Sequence, residues 1–77
     1  LPVALTSYKA ASSDTSFILG YRPVSEHAGA RNVFSLNGAT NHAGVSGVDA
    51  TTGVVTISSA TAADWHQVVY ETSFVSI

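Results

Sequence analysis

The clearest indication of the fold is the segment Val48-Asp49-Ala50-Thr51-Thr52-Gly53-Val54-Val55-Thr56-Ile57, in which a polar loop runs straight into an apolar strand. Asp49 can accept hydrogen bonds from backbone N–H groups two or three residues further on, and Thr51 and Thr52 can do the same more weakly. Gly53 supplies a positive φ without steric cost and begins the next strand. We therefore predict a β-hairpin whose turn is formed by four residues: Asp49, Thr51, Thr52 and Gly53.

The same loop lacks the composition of a ligand site. A calcium loop needs several oxygen ligands at alternating positions and usually a bidentate acid at its end. No acidic residue lies between Asp49 and Asp64. A phosphate site needs glycines together with a lysine or a helix N-terminus, whereas a strand follows this loop. We expect no metal and no cofactor here.

Short strands flank the hairpin on both sides. Strand signals occur at residues 3–8, 17–24, 32–36, 41–48, 53–58 and 65–77, and no segment repeats apolar residues at helical spacing over three turns. Asn37-Gly38 is the strongest two-residue turn signal. The last strand carries apolar side chains on both faces, which predicts either two buried faces or a β-bulge near residues 71–73.

Short strands separated by frequent turns are typical of an antiparallel sandwich or a small barrel. With 77 residues the chain is at most one domain. We predict a single all-β domain over residues 1–77, an antiparallel β-sandwich or barrel of about six strands, immunoglobulin-like or jelly-roll-like.

Charge and composition limit the function classes. Only 10% of the residues are charged and the formal net charge is −2, against about 25% charged residues in an ordinary soluble domain. Lys9, Arg22 and Arg31 are the three basic residues, too few for a patch that binds nucleic acid. No apolar run approaches the roughly 18 residues of a membrane span, so we expect none.

The short length and low charge favour self-association. A chain of this size buries only about 60% of the surface that its unfolded chain exposes, and small domains usually add disulfides, a metal or oligomerisation. Cysteine is absent, which excludes disulfides and thiolate metal sites. With 45% hydrophobic residues and few charges, little repels another copy. Oligomerisation or packing in a larger assembly remains as the expected reinforcement.

Candidate catalytic and metal-binding residues do not form a recognisable motif. His27, His42 and His66 are the three imidazoles, and a zinc site or a sugar-binding site would require them to converge. Neither the G-x-S-x-G elbow nor a P-loop or dinucleotide fingerprint is present. We predict that the protein is not an enzyme. The aromatic pairs Trp65 with Tyr70 and Tyr8 with Tyr21 are interpreted either as core residues or as a carbohydrate or partner platform.

Two segments carry a resemblance to known proteins: Gly47-Val48-Asp49-Ala50-Thr51-Thr52-Gly53-Val54-Val55-Thr56-Ile57 and Val68-Val69-Tyr70-Glu71-Thr72-Ser73-Phe74. Together they resemble a hairpin of tailed-phage and gene-transfer-agent tail proteins. The same turn is also similar to the middle of cadherin-like and other immunoglobulin-like surface domains, with Phe34-Ser35-Leu36 as the preceding strand. The acidic calcium motifs of cadherin domain ends are absent here, so that resemblance does not imply calcium.

These resemblances imply a protein that works by assembly. We expect a structural subunit of a virion, a phage-like capsid decoration or tail protein, whose partners are copies of itself and other assembly proteins. The long last strand supplies the interface candidates: Trp65, Tyr70, Phe74, Val75 and Ile77. The alternative is an immunoglobulin-like module or pilus-type filament subunit at a microbial cell surface. Leu1 in place of an initiator methionine fits a processed product, an excised segment or the ordered part of a longer chain, and a processed N-terminus favours this alternative.

Overall fold

The structure, a computed structural model, describes residues 2–25, 32–40 and 42–77. These residues form eight β-strands and no helix, so the prediction of an all-β fold is confirmed. The strands are β1 (Val3–Lys9), β2 (Ser16–Ile18), β3 (Tyr21–Pro23), β4 (Val33–Leu36), β5 (Ala39–Thr40), β6 (Val45–Val48), β7 (Val54–Ile57) and β8 (Trp65–Ser76).

The strands form two antiparallel sheets. In the five-stranded sheet, β8 lies between β1 and β4, β5 pairs with β4, and β3 pairs with the C-terminal part of β8. In the three-stranded sheet, β7 lies between β2 and β6. With 12 residues, β8 is long enough to pair with three other strands, and this makes it the centre of the fold.

The inner faces of the two sheets share one hydrophobic core, which is the arrangement of a small β-sandwich. Alternate residues of each strand point inward, and both sheets contribute to the buried cluster of Phe17, Leu19, Phe34, Val48, Val55, Ile57, Val68 and Tyr70. Burying one such side chain stabilises the fold by roughly 1.5–3 kcal/mol. The core is therefore the main source of stability in a chain that has no disulfide.

The segment at residues 17–24, which is predicted to be one strand, forms two, β2 and β3. The described residues therefore contain more strands than the six or so predicted. β2 belongs to the three-stranded sheet and β3 to the five-stranded sheet, so the chain changes sheets at Leu19 and Gly20. The Leu19 side chain is buried and its N–H donates to the Gly53 carbonyl at 2.9 Å. The predicted strand at residues 41–48 is also shorter, because β6 begins at Val45 and the short β5 precedes it.

The apolar residues on both faces of β8 are explained by an irregularity in its C-terminal part. Tyr21 pairs with Ser76, whereas Pro23 pairs with Thr72, so β8 contains extra residues between these two pairs. Phe74 lies in this segment with a φ of 59°, a left-handed conformation that is uncommon for an aromatic residue. Of the two alternatives predicted from the sequence, the β-bulge is the one found, slightly further along the strand than expected.

Candidate functional site

The five-stranded sheet has an exposed surface, here called the outer face, which consists of Leu5, Ser7, Lys9, Val33, Ser35, Trp65, Gln67 and Val69. Directly opposed residues of neighbouring strands project to the same side of a sheet. Leu5 pairs with Val69, and Val69 pairs with Val33 on its other side. These three side chains form an apolar row across three strands, and their exposed fractions are 61%, 41% and 48% for Leu5, Val69 and Val33.

A polar row and an exposed indole lie beside the apolar row. Ser7 and Ser35 flank Gln67 in register, and the Gln67 amide donates to Ser7 Oγ at 3.3 Å. Trp65 follows, 47% exposed, with the Lys9 ammonium 6.0 Å from its ring centroid. A cation over an indole at this distance is weakly attracted to the ring.

The Asn37-Gly38 turn holds the backbone of Trp65 in place. Both residues have positive φ, 50° and 86°, as expected for the tight hairpin that joins β4 to β5. The Asn37 N–H donates to the Trp65 carbonyl at 2.8 Å, and the Trp65 N–H donates to Asn37 Oδ1 at 2.8 Å. An open recess of about 570 Å³ results, lined by Ser7, Asn37, Gly38, Trp65 and Gln67. It offers an indole beside amide and hydroxyl groups.

Tyr70 is not available as an interface residue, and the prediction for it is wrong. Its side chain is 0% exposed, in the middle of the core. The hydroxyl lies 3.1 Å from Thr6 Oγ1 and accepts a hydrogen bond from the Tyr21 N–H at 3.1 Å. Because these two partners satisfy the hydroxyl, the ring can be buried at little cost.

The other four interface candidates are exposed, but only one of them belongs to the outer face as defined above. Trp65 lies on the outer face, at the start of β8. Phe74, Val75 and Ile77 lie at its C-terminal end, and each is nearly half exposed. The Phe74 ring packs edge-on against Tyr21, with ring centroids 5.0 Å apart. No contact with another subunit is part of the structure, so the roles of these residues as interface residues remain predictions.

The predicted hairpin turn connects β6 to β7 through the hydrogen bonds expected from its sequence. Asp49 Oδ1 accepts from the N–H groups of Thr51 at 2.7 Å and Thr52 at 3.0 Å. Thr52 Oγ1 accepts from the Val54 N–H at 3.3 Å. Gly53 has a φ of 72°, and its N–H donates to the Asp49 carbonyl at 2.7 Å. The Asp49 carboxylate therefore acts as a backbone cap.

The capping bonds also affect the ionisation of Asp49. The N–H groups of Thr52 and then Thr51 hold the pKa of its carboxyl below the usual value, since they bind the charged form. The charged carboxylate is thus stabilised by the turn itself, and no external cation is needed to explain it.

His42 and His66 meet inside the molecule, although the sequence separates them widely. His42 lies in the connection between β5 and β6, and His66 lies on β8. Nε2 of His42 is 2.9 Å from Nδ1 of His66, and the two rings are stacked with centroids 5.0 Å apart. His66 is only 2% exposed and its ring also contacts Phe17, with centroids 5.7 Å apart. His27 lies outside the described residues.

A backbone hydrogen bond fixes the protons of both rings. The Gly44 N–H donates to His42 Nδ1 at 3.1 Å, so this nitrogen carries a lone pair. A neutral imidazole has one donor and one acceptor nitrogen, so His42 Nε2 carries the proton and donates to His66 Nδ1. By the same rule the proton of His66 is on Nε2, a buried nitrogen that has no hydrogen-bond partner among the described residues.

This proton arrangement does not suit a metal site. A metal ligand needs a lone pair on the coordinating nitrogen, and the nitrogen of His42 that faces His66 carries a proton. Among residues 2–25, 32–40 and 42–77, no three His, Cys, Asp or Glu side chains are grouped so that they could hold a metal ion. The two histidines therefore form a hydrogen-bonded pair rather than a metal centre.

A second polar pair lies close to the histidines. The Tyr8 hydroxyl donates a short hydrogen bond to Asp14 Oδ2, which also accepts from the Ala11 N–H at 2.9 Å. These bonds lower the pKa of the Asp14 carboxyl, with Tyr8 as the largest cause, and raise the pKa of the Tyr8 hydroxyl. The Tyr8 ring stacks on Phe17 at 5.2 Å, so Tyr8, Phe17, His66 and His42 form a continuous column of rings.

Comparisons with known proteins do not assign the chain to a family. No family model, no curated protein and no solved structure matches it. The residues that the structure describes include no helix suited to spanning a membrane.

Sequence reasoning missed the apolar row and the histidine pair. The alternation in β1 and β8 shows that Leu5 and Val69 each project from one side of a strand. Only the pairing of β8 with β1 on one side and β4 on the other places Val69 between Leu5 and Val33. The histidine pair has no local signal at all, because its two members come from separate elements.

Proposed function

We propose that the protein is a structural subunit that associates with copies of itself through the outer face. The observation that carries the proposal is the apolar row of Leu5, Val69 and Val33, which spans three adjacent strands and is exposed along its length. Covering such a row with an identical row of a second copy removes apolar surface from water, at roughly 25 cal/mol per Å².

The opposite surface of the sandwich also carries exposed apolar side chains, but over a smaller area. On the three-stranded sheet, Ser16 lies opposite Thr56 and both are exposed, whereas Ile18, which is 60% exposed, lies opposite the half-buried Val54. A contiguous exposed apolar patch favours an interaction surface. The apolar row of the outer face spans three strands and this apolar pair only two, which supports association through the five-stranded sheet.

The edge formed by β1 supports the same proposal. β1 is the first strand in the order of its sheet, so the backbone groups on its far side are not used by the sheet. An edge strand with few charges can pair with a strand of another chain. Over its seven residues, β1 carries a charge only at Lys9. The edge therefore has little that opposes pairing with another subunit.

The proposed setting is a virion, in which the protein serves as a phage-like capsid decoration or tail component. The hairpin at residues 47–74, the small size, the low charge and the lack of cysteine support this setting. The second proposed setting is a microbial cell surface, where the chain would be an immunoglobulin-like module or a filament subunit. Capsid and tail genes beside the coding region favour the virion, and an encoded leader peptide favours the cell surface.

The oligomeric state of Val69→Lys tests the proposal. Val69 lies in the middle of the apolar row, where a lysine places a charge against an identical row. We expect the wild-type chain to form dimers or larger species in sedimentation velocity at micromolar concentration. The Val69→Lys chain is expected to sediment as a monomer with an unchanged circular dichroism spectrum.

Thr56→Lys is the matched control, because Thr56 is exposed on the central strand of the other sheet. It adds the same charge, and the chain is expected to associate like the wild type. A wild-type chain that remains monomeric at high concentration contradicts the proposal. Equal dissociation by both lysine variants would show that net charge, rather than the outer face, controls association.

A further inference from the structure

We propose that His42 and His66 form an acid-sensitive latch, which holds the β5–β6 connection against β8 only while both rings are neutral. The hydrogen bonds run in one direction, from the Gly44 N–H to His42 and from His42 to His66. Protonation of either acceptor nitrogen in this series of hydrogen bonds would remove the lone pair that accepts the bond. The inference concerns the inside of one subunit and does not depend on the proposed self-association.

Protonation of either ring breaks the chain of hydrogen bonds. A proton added to His42 goes to Nδ1, where it would face the Gly44 N–H. A proton added to His66 goes to Nδ1, where it would face the N–H of His42 Nε2. Two donors that point at each other repel, and a buried donor without an acceptor costs free energy. The arrangement is therefore compatible only with two neutral rings.

Tight packing couples this repulsion to movement of the connection. A Cβ atom on Gly44 would lie 2.5 Å from Ser58 Oγ and 2.9 Å from Cε1 of His42, so the backbone is pressed against the ring. The Gly44 carbonyl also accepts a hydrogen bond from the Ser58 N–H at 2.8 Å. On the other side, His66 contacts Phe17. The rings have little room to turn unless the chain at residues 42–44 moves away.

The carboxylates near the pair do not supply a hydrogen-bond acceptor for a protonated histidine ring. Asp64 favours the charged form of His42 through its charge, but burial and His66 outweigh it, so the pKa of His42 is lowered. Asp64 already accepts from Asn37 Nδ2 at 3.0 Å and from the Thr61 N–H at 3.3 Å.

On the other side of the pair, Asp14 is the carboxylate whose charge interacts with His66. Its Oδ2 already accepts from the Tyr8 hydroxyl and from the Ala11 N–H. Tyr8 on β1, Asp14 before β2 and Asp64 before β8 are the titratable groups that face the pair within the described part of the chain. Neither carboxylate is hydrogen-bonded to a histidine ring.

The sign of the pH dependence follows from the lowered pKa. The folded chain holds His42 neutral at pH values where the unfolded chain, with a histidine pKa of about 6.5, already binds a proton. The unfolded state then binds more protons, so acid shifts the equilibrium toward unfolding. The stabilisation is complete above about pH 6.5 and declines as the pH falls below it.

Urea unfolding between pH 7.5 and pH 5 tests the latch. In the wild type we expect the unfolding equilibrium constant to rise by up to about tenfold per pH unit as the pH falls, because the pKa of His42 is lowered in the folded chain. The double variant His42→Gln with His66→Gln is expected to lose this dependence. His27→Gln, which changes the third histidine, is the matched control and is expected to keep it. Repeating these pH series in chains that also carry Val69→Lys distinguishes the effect of the histidine pair on unfolding from any effect of self-association.

Nitrogen-15 NMR of the wild type tests the proton arrangement without any variant. At pH 7.5 we expect protonated Nε2 and unprotonated Nδ1 on both His42 and His66. On acidification, the protection factor of the Gly44 amide is expected to fall before those of the core amides of β7 do. A protonated Nδ1 on His42 at neutral pH overturns the proposal. The proposal is also overturned if the pH dependence of unfolding persists in the double glutamine variant, or if it disappears in His27→Gln.

Discussion

Among single residues, Gly53 and Asp49 stabilise the hairpin turn in different ways. Gly53 provides a backbone conformation with positive φ, and it is buried where a Cβ atom would overlap Ile77 Cδ1. Asp49 provides an acceptor for two N–H groups. At position 53, any other residue would place a Cβ atom in a crowded site and adopt an unfavourable positive φ. At position 49, an amide oxygen can accept the same hydrogen bonds as the carboxylate.

We expect Gly53→Val to destabilise the protein far more than Asp49→Asn. A β-branched residue at positive φ costs roughly 1–2 kcal/mol from backbone strain alone, and the displacement of Ile77 adds to it. Asparagine keeps an oxygen that accepts from Thr51 and Thr52, so the loss of stability in Asp49→Asn is expected to be small. Urea unfolding at pH 7.5 measures both variants. If Asp49→Asn were the more damaging change, a ligand site at this turn would have to be considered again.

At the scale of elements, β8 depends on one hydroxyl to form its bulge. Thr72 is 0% exposed, and its Oγ1 donates to the Arg22 carbonyl at 2.8 Å and accepts from the Phe74 N–H at 2.9 Å. The bonded Phe74 N–H belongs to the residue with positive φ. Thr72 therefore links β3 to β8 and supports the local conformation that turns Phe74 outward.

Thr72→Val is expected to loosen the bulge, because it keeps the shape of the side chain but removes both hydrogen bonds. The expected loss of stability is about 1–3 kcal/mol from buried groups left unsatisfied. Amide exchange of Phe74, followed by NMR, is expected to become faster. Thr72→Ser is the control, since it keeps the hydroxyl. Protection of Phe74 should persist in the serine variant, and equal exchange in both variants would contradict this role of the hydroxyl.

At the scale of the whole molecule, Tyr70 connects separate parts of the five-stranded sheet from within the core. Its ring belongs to the cluster shared by the two sheets, and its hydroxyl contacts Thr6 on β1 and the N–H of Tyr21 on β3. Thr6 Oγ1 in turn accepts from the Gly20 N–H at 3.3 Å. The segment that crosses between the sheets is thereby tied to the centre of the fold.

We expect Tyr70→Phe to cost about 1–2 kcal/mol, because it keeps the ring but leaves the Tyr21 N–H and Thr6 without this partner. Tyr21→Phe removes the same hydroxyl from an exposed side chain and is expected to stay within about 0.5 kcal/mol of the wild type. Thermal and urea unfolding of the two variants provide the comparison. A similar small effect in both would mean that the network around Tyr70 does not contribute to stability.

The local features of this protein can be read from its sequence, whereas the contacts between distant segments are visible only in the folded chain. The β-rich character, the turns at Asn37-Gly38 and Asp49–Gly53 and the irregularity in β8 follow from side-chain chemistry within a few residues. The change of sheet at Leu19, the burial of Tyr70, the apolar row and the histidine pair do not. They depend on which strands pair and in which register. Such pairing is set by packing among distant segments, and a one-residue change of register would move each side chain to the other face.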